Sequence, residues 1–173
     1  LIARFGDSTM PALQERVAGA MLYKGITLGQ QNKPDEAITI YNELIASFGN
    51  SEMPALQEPV AKAMVYKGVA LGQQNKPDEE IAIYDELIAR FGDSTMPALQ
   101  EDLANALFII ACSRASSGDV AAAIAGLRAW RDKLGRFDCD MVANDDDFDP
   151  IRPAPEFQAF LVEMGCVGGS VST

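Results

Sequence analysis

Histidine is absent from all 173 positions of this chain. That removes the usual general base near neutral pH and the commonest nitrogen ligand for a transition metal. Cysteine is scarce: Cys112, Cys139 and Cys166 form no C-x-x-C pair, and their number is odd. No disulfide framework follows from that spacing, so the expectation is reduced thiols in a cytosol, with one bridge plus a free thiol as the alternative. Positive charge is also short. Fourteen Lys and Arg stand against 25 Asp and Glu, for a net charge of −11. Such a surface repels phosphate backbones and anionic lipid headgroups. Nucleic acid and membrane therefore drop out as expected partners, and basic or neutral peptides come forward. No apolar run approaches the ~18 residues of a membrane helix, and no signal peptide is visible, so a cytoplasmic setting is expected.

The same shortages bear on catalysis. Without histidine, a Cys or Ser nucleophile needs an unusual base such as Lys, and nothing places one. The G-x-G-x-x-G and Walker spacings are missing, which makes Gly25 and Gly68 packing positions rather than parts of a phosphate loop. No acid, base and nucleophile come together, so no catalytic residue, cofactor or enzymatic activity is expected.

What the chain does have is repetition. Leu1 to Glu15 reads LIARFGDSTMPALQE, and Leu87 to Glu101 reads the same fifteen letters. Leu44 to Glu58 reads LIASFGNSEMPALQE, which sets a period of 43 residues. Residues 1–43 and 44–86 agree at 32 of 43 positions. Convergence on packing preserves residue class rather than identity, so duplication of one unit explains the match better.

Each unit reads as two helices. In the second unit Asn50 or Ser51 is placed to cap the first helix, with Pro54 early, where its missing N–H costs nothing. Leu56, Val60, Ala63, Met64 and Leu71 follow near helical spacing. Gln73-Gln74-Asn75-Lys76-Pro77 interrupts the pattern. Pro77 opens a second helix whose first turn holds Asp78, Glu79 and Glu80 against the positive end of the dipole. The face Ile81, Ile83, Tyr84, Leu87, Ile88, Phe91 follows, and Gly92 is expected as a C-cap. Pro59 implies either a mild kink or a separate opening segment. The first unit repeats this plan from Pro11 to Gly49. The third has drifted: helices are expected over about 97–115 and 120–134, with Ser116-Ser117-Gly118-Asp119 between them.

These residues carry a resemblance to the tetratricopeptide repeat. In that family a large residue on the first helix precedes a small one by a turn, as at Met21 and Gly25, Met64 and Gly68, and Leu107 and Ala111. The second helix opens with alanine and carries an aromatic a turn later. Ala37 and Tyr41 fit; Glu80 departs while Tyr84 fits; Ala123 fits while Leu127 replaces the aromatic. The resemblance covers most of residues 1–134 and implies an all-α fold, an α-solenoid of stacked antiparallel helix–turn–helix units. The family period is 34 residues, so each unit here carries nine more, enough for about two and a half extra turns at 1.5 Å per residue. Lys24 and Lys67 also stand where the family usually has leucine. Long-period variants of this kind point to a bacterial source.

The repeat array is expected over 1–134, as a partial unit at 1–5 and full units near 10–49, 53–92 and 96–135. An acidic loop is expected at 135–152, a capping helix at 153–165 and a flexible tail at 166–173. A terminal unit needs a cover for its apolar face, so Phe157, Phe160 and Leu161 are expected against the last unit's second helix. Asp138, Asp140, Asp145, Asp146, Asp147 and Asp149 lack the glycine and bidentate glutamate of an EF-hand loop, and no metal site is expected. Leu1, Ile2 and Phe5 match Leu44, Ile45 and Phe48, the end of a second helix. An uncapped front of that kind is open to self-association.

The resemblance also implies a partner-binding groove lined by first helices. Its residues would be Leu22, Tyr23, Ile26 and Gln30 in the first unit, Lys62, Val65, Tyr66, Val69 and Gln73 in the second, and Asn105, Phe108 and Cys112 in the third, with Ile109 and Ser116 beside them. Some members grip a C-terminal carboxylate there with Lys, Asn and Arg. The matching positions here are mainly Leu22, Ile26 and Tyr66, so no such clamp is expected. The competing reading of the apolar positions is plain core. The expected function is a scaffold binding a peptide or partner protein through its concave face. The alternative is a regulatory or sensor domain of a larger signalling protein or enzyme.

Overall fold

Among the described residues, six of eight α-helices begin at proline, whose fixed φ and missing N–H suit a first helical position. The structure, a computed structural model, describes residues 10–166. The helices are α1 (Pro11–Gln30), α2 (Pro34–Phe48), α3 (Pro54–Gln73), α4 (Pro77–Phe91), α5 (Pro97–Ser116), α6 (Val120–Leu134), α7 (Cys139–Asn144) and α8 (Pro155–Glu163), with a 3₁₀ turn at Asp146–Phe148 between the last two. No strand occurs among the described residues. The fold is all-α, as the repeat pattern requires. The partial unit at 1–5 and positions 167–173 of the expected tail lie outside the described residues. The chain divides into two compact regions, Leu1–Asp102 and Leu103–Thr173, and the division falls within α5.

In the first region α1 packs on α2 and α3 on α4, while α3 also lies against both α1 and α2. The close approach within each pair depends on glycine. A Cβ added at Gly25 would run into the Tyr41 ring, and one at Gly68 into the Tyr84 ring. Tyr41, Leu44, Leu56, Met64, Leu71, Tyr84 and Leu87 are essentially sealed from solvent. Each such side chain contributes about 1.5–3 kcal/mol through burial. Burial, and secondarily the neighbouring Tyr66, pushes the Tyr41 hydroxyl up to about 12. The interruption at Gln-Gln-Asn-Lys-Pro is a specific turn. Asn32 and Asn75 take φ of 59° and 57°. The Lys33 and Lys76 amides then reach back to Leu28 O and Leu71 O at 3.0 and 3.1 Å, closing the helix end in a Schellman arrangement.

One local expectation is corrected and two are refined. Gly92 is the C-cap of α4 as expected, but in the right-handed region at φ −55°, and a Cβ there would meet the Ile88 carbonyl. Neither Asn50 nor Ser51 caps α3, whose N-cap is Met53; Ser51 Oγ accepts from the Met53 amide at 3.3 Å, one step upstream. Pro59 opens no separate segment, because α3 runs unbroken through it. Its ring removes the bond to the Ala55 carbonyl, and Ala55 is exposed, so water can satisfy that oxygen.

In the second region Asp119 caps α6 by accepting from the Ala122 amide at 3.1 Å, and Gly135 closes α6 at φ 68°. Here the expected small residue of the first helix, Ala111, meets a second one on the next helix. Gly126 faces Ala111, and an added Cβ would stand 3.0 Å from the alanine methyl. Part of the expected acidic loop is ordered secondary structure. Asp138 caps α7 through the Met141 amide at 3.0 Å, and Asp145 caps the 3₁₀ turn through the Asp147 amide at 3.0 Å. Helix α8 packs on α6. Phe157 and Phe160 are fully buried and Leu161 half-buried. The Arg128 guanidinium lies 5.1 Å from the Phe160 ring centre and forms a two-pronged ion pair with Glu163.

The thiol expectation is overturned. Cys139 and Cys166 form a disulfide with Cα atoms 5.4 Å apart, and only Cys112 is free. The residue that was to open a flexible tail is covalently anchored. The fold makes this pairing by returning α8 along α6, which brings the end of α8 to the first residue of α7.

Candidate functional site

Helix α1 lies beside α3, so their equivalent residues form matched rows. Leu22, Ile26 and Gln30 on α1 correspond to Val65, Val69 and Gln73 on α3. Leu22 is buried at 7% exposure and belongs to the core. Ile26 and Val65 are half-buried, Val69 is 41% exposed, and both glutamines are open to solvent. The result is a row of aliphatic side chains with a carboxamide at the end of each helix. Lys62 is half-buried and pairs with Glu58 at 3.1 Å. That hydrogen bond is the main reason its ammonium is held above the usual lysine range. Asp102 is half-buried, and desolvation raises its carboxyl despite the pull of Lys62.

Tyr66 is 39% exposed and has a contact the groove pattern did not anticipate. Its ring stacks on Tyr41 of α2, centroids 6.3 Å apart and 20° between planes. It therefore joins one unit to the next. Its counterpart Tyr23 is 71% exposed. A further link between units was not anticipated: Gln74 Nε2 donates to Asp35 Oδ1 at 2.8 Å, tying the end of α3 to the start of α2.

The second region closes the corresponding row. Phe108, Cys112 and Ser116 on α5 are the 43-residue counterparts of Val65, Val69 and Gln73, and all three touch the acidic segment. Phe108 packs 6.0 Å from Phe148, centroid to centroid, and 4.9 Å from Trp130. The Cys112 thiol lies 3.7 Å from Asp145 Oδ2, and Ser116 Oγ donates to Asp147 Oδ1 at 2.9 Å. Phe148 is fully buried, stacked on Phe157 at 5.9 Å. Phe108 and Cys112 are thus core residues here, the competing reading of those positions. Of the three assigned groove residues in this unit, only Asn105 is exposed.

Sγ of Cys112 and a carboxylate oxygen from each of Asp145 and Asp147 lie within 4.8 Å of one another, the grouping among the described residues most like a cation site. Its chemistry is that of a hydrogen-bonded thiol. Burial, and then the two negative carboxylates, push the Cys112 thiol far above its ordinary range, so it stays protonated and donates. The sequence held a hint of this arrangement only in Asp145-Asp146-Asp147-Phe148, read as part of an acidic loop.

Comparison with curated proteins and with solved structures gives no significant match. The family model of the tetratricopeptide repeat matches residues 19–51 and 62–94, two spans 43 residues apart. Each span covers the later part of a first helix, the Schellman turn and the whole of the following helix, with Gly25 against Tyr41 in one and Gly68 against Tyr84 in the other. The helix pairs of the first region are tetratricopeptide repeats.

Proposed function

We propose that this protein is an interaction scaffold whose first-helix row in residues 10–102 holds an extended segment of a partner protein. The observation that carries the reading is the matched row on α1 and α3. Ile26, Val65 and Val69 keep part of their apolar surface in solvent while the far sides of the same helices are packed. Gln30 and Gln73 stand one turn further along, ready to meet the amides of a peptide backbone. The proposed ligand is an extended peptide with aliphatic anchors at alternate positions. The net charge of −11 favours basic flanks on it. Tetratricopeptide repeats generally serve protein–protein interaction, which supports a binding role over a catalytic one. No helix among the described residues is long and apolar enough to cross a membrane. Reduced thiols were one support for a cytosolic setting, and the Cys139–Cys166 bridge removes it.

The test is selection of peptides from a random display library, followed by fluorescence anisotropy of the winners. Ile26→Asp and Val69→Asp should each weaken binding by about tenfold or more, since each places an unpaired charge against an apolar anchor. Val162→Asp, on the exposed side of α8, should leave it unchanged. Failure to enrich any peptide, or winners indifferent to both α1 and α3 variants, rejects the reading.

A further inference from the structure

Gln57 and Gln100 hold the same place in successive units, one turn into a first helix. Gln100 spends its carboxamide on its own loop: Nε2 donates to Ser94 O at 2.8 Å and to Met96 O at 3.0 Å. Gln57 makes neither of the corresponding bonds, and no other described residue takes up its carboxamide. It lines a cavity of about 210 Å³, where the start of α3 meets the ends of α2 and α4. The apolar wall of this cavity is Phe48, Val60 and Phe91, all buried, and the polar wall is Ser51, Gln57 and Arg90. The Arg90 guanidinium lies 5.2 Å from the Phe91 ring centre. Its Nη2 donates to the Gly49 carbonyl, and its Nη1 to Glu86 Oε1 at 3.2 Å and towards Met64 Sδ at 3.9 Å. That leaves the Nε–H and the second N–H of Nη2. Ser51 Oγ accepts from the Met53 amide, so its own O–H is left to donate. The place of Arg90 is taken by Ser47 in the preceding unit and by Lys133 in the following one, so this set of donors belongs to one junction only.

We propose that this cavity binds a carboxylate carried on a short hydrocarbon stem. Donors outnumber acceptors on the polar wall, so the complementary group is one that accepts. A guanidinium flanked by a carboxamide and a hydroxyl suits the two oxygens of a carboxylate. The Glu86 side chain is 50% exposed, so it can swing into water and yield Nη1 to the incoming group. The stem then lies against the two phenyl rings and Val60. The volume falls below the roughly 300–1,000 Å³ of sites for drug-sized ligands. It is too small for a nucleotide and has room for about one amino-acid side chain. The same chemistry is offered by a free monocarboxylic acid and by an acidic side chain of a partner protein. The cavity is at the start of α3, whereas the aliphatic row runs through Val65 and Val69 to Gln73 at its end. Selection of peptides reads the row and the titration below reads the cavity, so either can fail alone.

The test is a titration followed by proton–nitrogen NMR of the labelled protein. One probe is 4-methylpentanoate; the other is an alanine tetrapeptide with one internal glutamate and both ends blocked. At least one should give saturable shifts, in the millimolar range, at the Gln57 side-chain amide and at the Arg90 Nε–H. The uncharged isostere 4-methylpentanamide should bind about tenfold more weakly than the acid, because it loses the charge-assisted bonds. Gln57→Leu breaks no bond within the protein, so it should keep the melting temperature while weakening binding about three- to tenfold. Gln100→Leu should leave binding unchanged. A response to the acid alone supports a small-molecule ligand, and a response to the peptide alone supports an acidic residue of a partner. No saturable shift with either probe overturns the proposal. So does equal binding of acid and amide, or binding indifferent to Gln57→Leu.

Discussion

Val65, Val69 and Gln73 of α3 and Phe108, Cys112 and Ser116 of α5 stand at the same three heights of the 43-residue unit. In the first region Val69 and Gln73 are open to solvent. In the second, the acidic segment takes those heights: Phe148 against Phe108, Asp145 against Cys112 and Asp147 against Ser116. Apolar character at a groove position therefore does not decide whether it binds a partner or belongs to the core. The deciding element is a covering segment encoded more than thirty residues downstream.

Removing that cover should give the largest effect. Phe148→Ala empties a fully buried aromatic site and should cost about 3–5 kcal/mol. Calorimetry reads the loss. Hydrogen exchange should place it in residues 103–166 and leave α1 to α3 protected as before. The same variant should let Cys112 react with iodoacetamide at neutral pH, whereas in the unaltered chain the buried, protonated thiol should resist labelling. Rapid labelling of the unaltered chain would mean that the two regions are open alike.

An intermediate effect comes from the bridge. Reduction by a dithiol, or Cys139→Ser with Cys166→Ser, frees a closed loop with a sequence separation of 27. The expected loss is about 2–4 kcal/mol, again confined to the second region. A melting curve insensitive to reductant would show that the aromatic packing of α8 suffices alone.

The smallest effect tests whether the two units of the first region are interchangeable. Glu80 stands where the first unit has Ala37, and its carboxylate lies against Gly72. Burial raises its pKa above the ordinary carboxylate value. The folded state then holds the proton more tightly than the unfolded one, so stability falls as pH rises from the ordinary range through the raised value. Glu80→Ala should remove that slope and stabilise the protein at pH 7 by less than about 1 kcal/mol. Thermal melts from pH 4 to pH 8 would detect it, and an unchanged slope would assign the dependence to another group such as Asp102.

The helix pairs were legible because duplication copies identity as well as class: Pro11, Pro54 and Pro97 mark the same helix start three times. Gly25 and Gly68 were legible as packing positions because an aromatic follows each on the next helix. The stacking of Tyr66 on Tyr41 was not legible, for a geometric reason. Tyr66 directly follows Val65 on one turn, so pattern alone gives no ground to point one at a ligand and the other at α2. The left-handed Asn32 and Asn75 looked like ordinary polar letters, since only φ distinguishes a Schellman turn from a loop. The pairing of Phe148 with Phe108 and of Cys139 with Cys166 joins segments that share no periodicity. Such contacts depend on the path of the chain, which local spacing does not encode.

The bridge also sets how the molecule would yield to tension. A pull applied across Cys139 and Cys166 meets a covalent bond, so the segment between them, a sequence separation of 27, cannot straighten until the sulfur–sulfur bond is cut. At ~3.4 Å per residue, about 90 Å of contour stays hidden. Stretching single molecules with and without a reducing agent would reveal it as a difference in final extension.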